Sequence, residues 1–158
     1  MEEWINILLK AFWSGCAAMG FGILFHVPKR NLAAVWIGGA IAGLIKFSVL
    51  KHVTPSIILA SFLAALILGI YSMIVAHKRR EPPLMFAIPS VIPLVPGLFA
   101  YRTMLGLMKL SGDIGPDFSR TLSETVHDGV LTLFIIIAFT IGIVLPYQIG
   151  KDISKKIY

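Results

Sequence analysis

Five apolar runs alternate with short polar segments along this chain of 158 residues. The runs cover about residues 4–25, 32–50, 55–76, 84–110 and 122–147, and each has about the 20 residues that a helix needs to cross a bilayer. Open sheet edges cannot face lipid, so the runs indicate helices rather than strands. The pattern therefore predicts an all-α integral membrane protein with five transmembrane helices.

The fourth run is interrupted by Pro89, Pro93 and Pro96, and Gly97 follows directly. Each proline removes a backbone N–H donor and clashes with the carbonyl group four residues earlier. We therefore predict that the fourth helix is broken at this point. In a membrane, backbone groups freed in this way are tolerated only where protein buries them or where they line a wet cavity, and broken helices form the binding sites of many transporters. The segment is accordingly a candidate substrate site.

The composition excludes a soluble protein. The chain is 57% hydrophobic and only 14% charged, whereas soluble domains are about 25% charged. Its length leaves no room for a sizeable soluble domain, so residues 1–158 are predicted to form one membrane domain. The net charge of +6 indicates basic cytoplasmic loops rather than nucleic-acid binding. Cys16 is the only cysteine, which excludes a disulfide framework and a thiolate metal cluster.

The charges of the loops predict the orientation. With five spans, the basic residues of the loops and C-terminus lie on one side, namely Lys29, Arg30, Lys78, Arg79, Arg80, Lys151, Lys155 and Lys156, and the acidic residues Glu2, Glu3, Asp113 and Asp117 lie on the other. The positive-inside rule then places the N-terminus outside and the C-terminus inside. Transporters are commonly built from two repeats, and five spans supply one half. We expect a second copy or a different five-span chain to complete the assembly.

Two cations in the spans are candidates for binding an anionic substrate. Arg102 follows the broken region, and its planar guanidinium matches a carboxylate bidentately; alternatively, it extends to the outer headgroups. Lys46 follows the small-residue segment Gly38-Gly39-Ala40-Ile41-Ala42-Gly43, which is suited to close helix packing. Lys46 either faces substrate beside this packing seam or extends its ammonium group outward.

Three ionisable residues stand near the start of the fifth run. Glu124 and Asp128 are four residues apart and share a helical face, with His127 beside them. Such a group can relay protons, because histidine titrates near neutral pH and burial can raise a carboxylate toward it. The alternative is a solvated helix entrance, capped by Thr121 or Ser123, where acidic residues favour the helix dipole.

The motifs of the common enzyme classes are missing from the sequence. It has no His-Glu-x-x-His pattern, no Gly-x-Ser-x-Gly elbow and no phosphate-binding loop. We therefore predict that the chain is not an enzyme and that it holds neither a metal nor a cofactor.

Three segments together resemble a known family. They are Phe25-x-Val27-Pro28-x-Arg30, Gly39-Ala40-Ile41 and Val91-Ile92-Pro93-Leu94-Val95-Pro96-Gly97-Leu98-x-Ala100-Tyr101. With the span count, they closely resemble the small YjjB-like subunit of the threonine/serine exporter family over nearly the whole chain. The stretch Pro93-x-x-Pro96-Gly97-x-x-x-Tyr101 is the most specific part of the resemblance.

The resemblance implies one half of a ten-span exporter in the bacterial inner membrane, whose other half is a larger YjjP-like chain with five spans. It implies export of threonine and serine, or of succinate-type dicarboxylates, driven by the proton-motive force. By motif, Pro93, Pro96, Gly97 and Tyr101 carry over as site residues, and Lys46 stands where relatives have a basic residue. Roles for Arg102 and Asp128 rest on the physical argument alone.

Two hypotheses follow. In the first, the chain is a subunit of a secondary transporter that exports small carboxylate-bearing metabolites, with the broken fourth helix and a cation at its substrate site. In the second, it is a structural membrane subunit that stabilises a larger partner carrying the site, and the prolines serve packing.

Overall fold

A computed structural model of the chain describes residues 2–112 and 117–157, with side chains described through residue 149. Within this part the chain is helical and contains no strand. The α-helices are α1 (Glu2–Leu24), α2 (Lys29–His52), α3 (Ile57–Arg79), α4 (Leu84–Val91), α5 (Gly97–Gly112) and α6 (Phe118–Ile157), and a 3-10 turn (Ile92–Leu94) follows α4.

Four of the described helices are long and apolar enough to cross a membrane. They are α1, α2, α3 and the part of α6 from Phe118 to Ile149. A fifth span results if α4 with its 3-10 turn and α5 are counted together as one bent span. The ends of α1, α2 and α3 lie within three residues of those predicted from the apolar runs.

Local signals in the sequence set the ends of the first three helices. After α1, His26 adopts a left-handed conformation with φ 59°, and the N–H of Val27 bonds to the carbonyl of Gly22 at 2.9 Å. Ser56 caps the start of α3 by accepting a hydrogen bond from the N–H of Leu59. Arg80 ends α3 in a left-handed conformation with φ 55°.

The small residues of α2 allow its neighbours to approach closely. A Cβ atom added to Gly39 would collide with the side chain of Ala18 and lie 3.0 Å from the carbonyl oxygen of Ser14. At Gly43 it would lie 2.8 Å from Ser14 Cβ, and at Gly38 it would lie 3.1 Å from the ring of Tyr71. The predicted packing seam is therefore confirmed, and it brings α1 and α3 against α2.

Three hydroxyl groups from three different helices donate hydrogen bonds to α2 carbonyl oxygens. The pairs are Ser14 Oγ with Gly39 at 3.0 Å, Tyr71 Oη with Ala34 at 2.9 Å, and Ser90 Oγ with Val35 at 3.0 Å. Hydroxyl-to-carbonyl bonds of this kind join helices where lipid tails give no hydrophobic driving force between them. Helix α2 is therefore connected to α1, α3 and α4 by side-chain hydrogen bonds.

By its internal contacts, the chain divides into two compact units. One comprises Met1–Leu94 together with Ala138–Tyr158, and the other comprises Val95–Ile137. The predicted cap of the last helix at Thr121 or Ser123 is wrong, because α6 already begins at Phe118 and both residues lie inside it. The N–H of Thr121 instead bonds to the carbonyl oxygen of Asp117 at 3.0 Å.

Candidate functional site

A cavity of about 310 Å³ lies between α5 and α6 in the unit Val95–Ile137. Its lining comprises Arg102, Leu105, Gly106, Lys109, Thr121, Glu124, Thr125 and Asp128. A volume of this size is at the lower end of the range of small-molecule pockets, about 300–1,000 Å³. The cavity is therefore large enough to hold a small molecule.

Helical spacing brings the polar lining together. Arg102 and Lys109 are seven residues apart and lie two turns from each other on α5. On α6, Thr121, Thr125 and Asp128 recur at intervals of four and three residues, so they share one face. Two cations on one helix thus face two carboxylates and two hydroxyl groups on the other.

Small residues bring α5 and α6 close enough to form this cavity. A Cβ atom added to Gly106 would lie 2.9 Å from Thr125 Cβ, and one added to Gly129 would lie 3.2 Å from Thr103 Cγ2. Thr125 is only 5% exposed, and its hydroxyl donates to the carbonyl oxygen of Thr121 at 2.6 Å. The backbone thus holds the Thr125 side chain against Gly106.

The charged groups of the cavity differ in their exposure. Asp128 is half-buried, while Arg102, Lys109 and Glu124 are exposed. At the start of α6, Arg120 Nε donates to Glu124 at 3.0 Å, and both of these side chains are exposed. An exposed pair of this kind contributes little to stability, about 0.3–0.5 kcal/mol on a helix, so Glu124 is easily released to another cation.

Lys46 contacts the end of the 3-10 turn in the unit that contains α1 to α4. Its Nζ atom donates a hydrogen bond of 2.7 Å to the carbonyl oxygen of Leu94. It also lies 5.5 Å from the centroid of the Phe139 ring, within the range of a cation–π contact. The described residues of α4, the 3-10 turn and the segment 138–149 include no acidic side chain. In this region Lys46 thus meets a neutral acceptor and an aromatic face.

The residues of the proline-rich motif, Pro93-x-x-Pro96-Gly97-x-x-x-Tyr101, differ in their surroundings. Pro93 lies inside the 3-10 turn and is half-buried, whereas Pro96 is buried. Gly97 begins α5; its φ is not positive, and an added Cβ would meet no atom within 4 Å. Tyr101 is 61% exposed. Neither a strained backbone nor a close contact therefore requires glycine at position 97.

Three of the candidate site residues, namely Arg102, Glu124 and Asp128, line one cavity. His127 and Tyr101 are exposed and are not among its lining residues. Sequence reasoning gave no role to Lys109, Thr121 or Thr125 in binding. The signal available in the sequence was helical spacing. Lys109 shares a helical face with Arg102, and Thr121 and Thr125 share one with Asp128. Among the described residues, no group of three His, Cys, Asp or Glu side chains could hold a metal ion.

Comparisons with known proteins give one family. Residues 10–149 match the model of a family described as "Threonine/Serine exporter, ThrE". A relative in Haemophilus influenzae, described as an uncharacterized protein, is 26% identical over 144 residues, which are 90% of this chain and 47% of the relative. The chain thus spans about half the length of that relative. No solved structure matches it.

Proposed function

Because this chain belongs to the threonine/serine exporter family, we propose that it is a subunit of a secondary transporter that exports amino acids such as serine and threonine. The observation that carries this proposal is the cavity between α5 and α6, where cations and carboxylates face each other. Three features of the cavity match serine and threonine: charges of both signs, a small volume and hydroxyl groups.

The cavity is complementary to a zwitterion. Arg102 and Lys109 supply donors for an α-carboxylate, and an arginine binds a carboxylate bidentately. Glu124 and Asp128 supply acceptors for an α-ammonium group. Thr121 is also in the lining, and its hydroxyl group can exchange hydrogen bonds with the hydroxyl of serine or threonine.

The same charges disfavour a dicarboxylate. Succinate offers a second carboxylate where a zwitterion offers an ammonium group, so it would face Glu124 and Asp128 with like charge. Like-charge contacts of this kind discriminate against a wrong partner. We therefore favour amino acids over succinate-type dicarboxylates as substrates of this chain.

We propose that the proton-motive force drives export through the carboxylates of the cavity. A proton and a substrate ammonium group would compete for Asp128, the half-buried acid, with Glu124 beside it. In such a competition, Asp128 releases its proton when it binds the ammonium group of a substrate, and it releases the ammonium group when it binds a proton. His127, exposed and outside the lining, stays a candidate from its position in the sequence alone.

We propose that a larger five-span chain of the YjjP-like type completes the transporter. The Haemophilus influenzae relative is about twice as long as this chain, so it has room for a second half of similar size. In this proposal the N-terminus lies outside and the C-terminus inside a bacterial inner membrane, an orientation that the basic loops favour. A second copy of the chain is the alternative partner.

The proline-rich segment is proposed as a second element of the substrate path. Pro93 with the ammonium group of Lys46 in one unit, and separately Pro96, Gly97 and Tyr101 in the other, are the candidate substrate contacts that the resemblance implies. Support comes from the position of Lys46, whose ammonium group already lies on a backbone carbonyl of this segment. A substrate carboxylate is a stronger acceptor for that ammonium group than a neutral carbonyl.

One observation favours the alternative of a structural subunit. Ser90 bonds to Val35 and Lys46 bonds to Leu94, so polar groups around the proline-rich segment already have partners within the chain. In that case the prolines shape a packing surface, and the partner binds substrate. Cysteines placed at Val95 and Phe99, which are exposed and half-buried, separate the two cases, because only a site would be protected from a thiol reagent by substrate.

The test of the proposal is counterflow of radiolabelled serine, threonine and succinate in liposomes containing this chain and a YjjP-like subunit. We expect exchange of serine and threonine, and its loss in Arg102→Gln and Asp128→Asn. Lys51→Gln, which removes a cation outside the cavity, is the matched control and should exchange normally. Normal exchange by both cavity variants would overturn the site, and no exchange of any amino acid by the pair would overturn the function.

A further inference from the structure

Basic side chains form an exposed cluster where α2 begins and α3 ends. The cluster, here the basic end, comprises Lys29 and Arg30 with Lys78, Arg79 and Arg80, all of them exposed. Arg30 forms an ion pair of 2.5 Å with Glu81, which directly follows Arg80. This pair joins the two basic segments, and the five cations with one acid leave a charge of +4.

Three of these cations occupy positions that local helix energetics disfavour. Arg80 has φ 55°, a conformation that glycine or asparagine adopts at lower cost than a residue with a long side chain. Lys29 and Arg30 lie in the first turn of α2, where the helix dipole disfavours positive charge, and that turn has no acidic residue. Apart from the Arg30–Glu81 ion pair, local structure does not account for cations at these positions, whereas an external anion would.

The chemistry of the cluster indicates which anion binds there. Arginine and lysine side chains at the end of membrane helices are the groups that bind phosphate headgroups, and the cytoplasmic leaflet carries the anionic lipids. The exposed side chain of Arg30, 68% accessible despite its ion pair, has donors left for a phosphate oxygen. We propose that the basic end is a binding site for the headgroup of an anionic phospholipid.

The test uses the purified full chain in maltoside micelles, titrated with phosphatidylglycerol or with phosphatidylcholine of the same acyl chains, and melting temperature as the readout. We expect phosphatidylglycerol to raise the melting temperature and phosphatidylcholine to leave it nearly unchanged. Glycerol 1-phosphate, a phosphate monoester without acyl chains, should not replace the lipid at equal concentration. Added salt should weaken the effect, since it screens exposed charges.

The variant is Arg79→Gln with Arg80→Asn, because asparagine tolerates the left-handed conformation of position 80. Half-maximal stabilisation should then need about 25-fold more phosphatidylglycerol, since each lost cation should raise the requirement about fivefold. The control, Lys10→Gln with Lys51→Gln, removes two cations outside the basic end and should behave as the original chain. If the variant does not fold, Lys29→Gln and Lys78→Gln singly should each raise the requirement by about fivefold.

Three results would overturn the lipid site. They are equal stabilisation by the two lipids, equal stabilisation by glycerol 1-phosphate, and an unchanged lipid requirement in the basic-end variants. The second result would identify a site for free phosphate rather than for a lipid.

Discussion

The Nζ atom of Lys46 donates a hydrogen bond of 2.7 Å to the carbonyl oxygen of Leu94, although the two residues are 48 positions apart. Leu94 ends the 3-10 turn that contains Pro93. Carbonyl groups at the end of a helix have no partner inside it, and in an apolar environment such groups need one from elsewhere. Lys46 therefore stabilises the folded conformation of the chain around Leu94, whether or not its ammonium group also contacts substrate.

Replacing Lys46 by methionine should lower the stability of the chain. The substitution removes the donor to Leu94, and an unpartnered buried carbonyl costs about 1–3 kcal/mol. Lys46→Arg keeps a donor and should lose less. Thermal unfolding in detergent, followed by tryptophan fluorescence, measures the difference. Lys10→Met removes an exposed lysine in the same chain and is the control. Equal melting temperatures for the Lys46→Met and Lys10→Met variants would contradict the role given to Lys46.

Neutralising the acids of the cavity should change the choice of substrate as well as its affinity. In Glu124→Gln with Asp128→Asn, the ammonium group of serine loses both anionic acceptors, and its binding should weaken by about tenfold or more. Succinate should bind better than it does to the original chain, because the like charges facing it are gone. Competition against bound radiolabelled serine measures both effects. Parallel loss of serine and succinate binding would argue against a zwitterion site.

A single methyl group at Gly106 should disturb the contact of α5 with α6. The added Cβ would lie 2.9 Å from Thr125 Cβ, so Gly106→Ala should cost about 1–3 kcal/mol of stability by overpacking. Gly20→Ala is the matched control: its added Cβ meets no atom within 4 Å, and alanine in a helix interior should stabilise by about 0.5 kcal/mol. Opposite shifts of the two melting temperatures are expected. Shifts of the same sign would count against the close contact at Gly106.

Two fully buried serines should respond in opposite ways to the same substitution. Ser90 donates to the Val35 carbonyl at 3.0 Å, so Ser90→Ala should cost about 0.5–1.5 kcal/mol. Ser61 Oγ has no hydrogen-bond partner within the described part of the chain, so Ser61→Ala removes a buried hydroxyl that gains nothing there and should be neutral or stabilising. Melting temperatures of the two variants in the same detergent test this. A greater loss at Ser61 than at Ser90 would contradict the assignment.

Much of the helical pattern was predictable from the sequence. Lipid requires helices, and about 20 apolar residues are enough to mark one, so α1 to α3 were placed within a few residues. The glycines at 38, 39 and 43 also predicted a packing seam, because small residues are the usual means of close helix contact in membranes. Helix α6 begins before the predicted position 122, because the mainly polar segment 118–121 extends the helix beyond its apolar stretch.

The tertiary arrangement of the charged residues was not predictable. Spacing placed Glu124 and Asp128 on one helical face, but no pattern in the sequence brings Arg102 of α5 to the same cavity. Likewise, the sequence leaves open whether Lys46 faces substrate or extends outward, and its bond to Leu94 joins residues that are far apart in the chain. Such pairings depend on which helices pack together and at what register, and periodicity carries no information on either.

The hydroxyl groups that fasten α2 have a consequence for movement. Sliding α2 by one helical turn, about 5.4 Å, would break the bonds of Ser14, Tyr71 and Ser90 in a single step. Helices held in this way resist shear and move together. In a transport cycle we therefore expect α1 to α4 to move as one rigid body. Conformational change should be confined to segments that these hydrogen bonds do not connect.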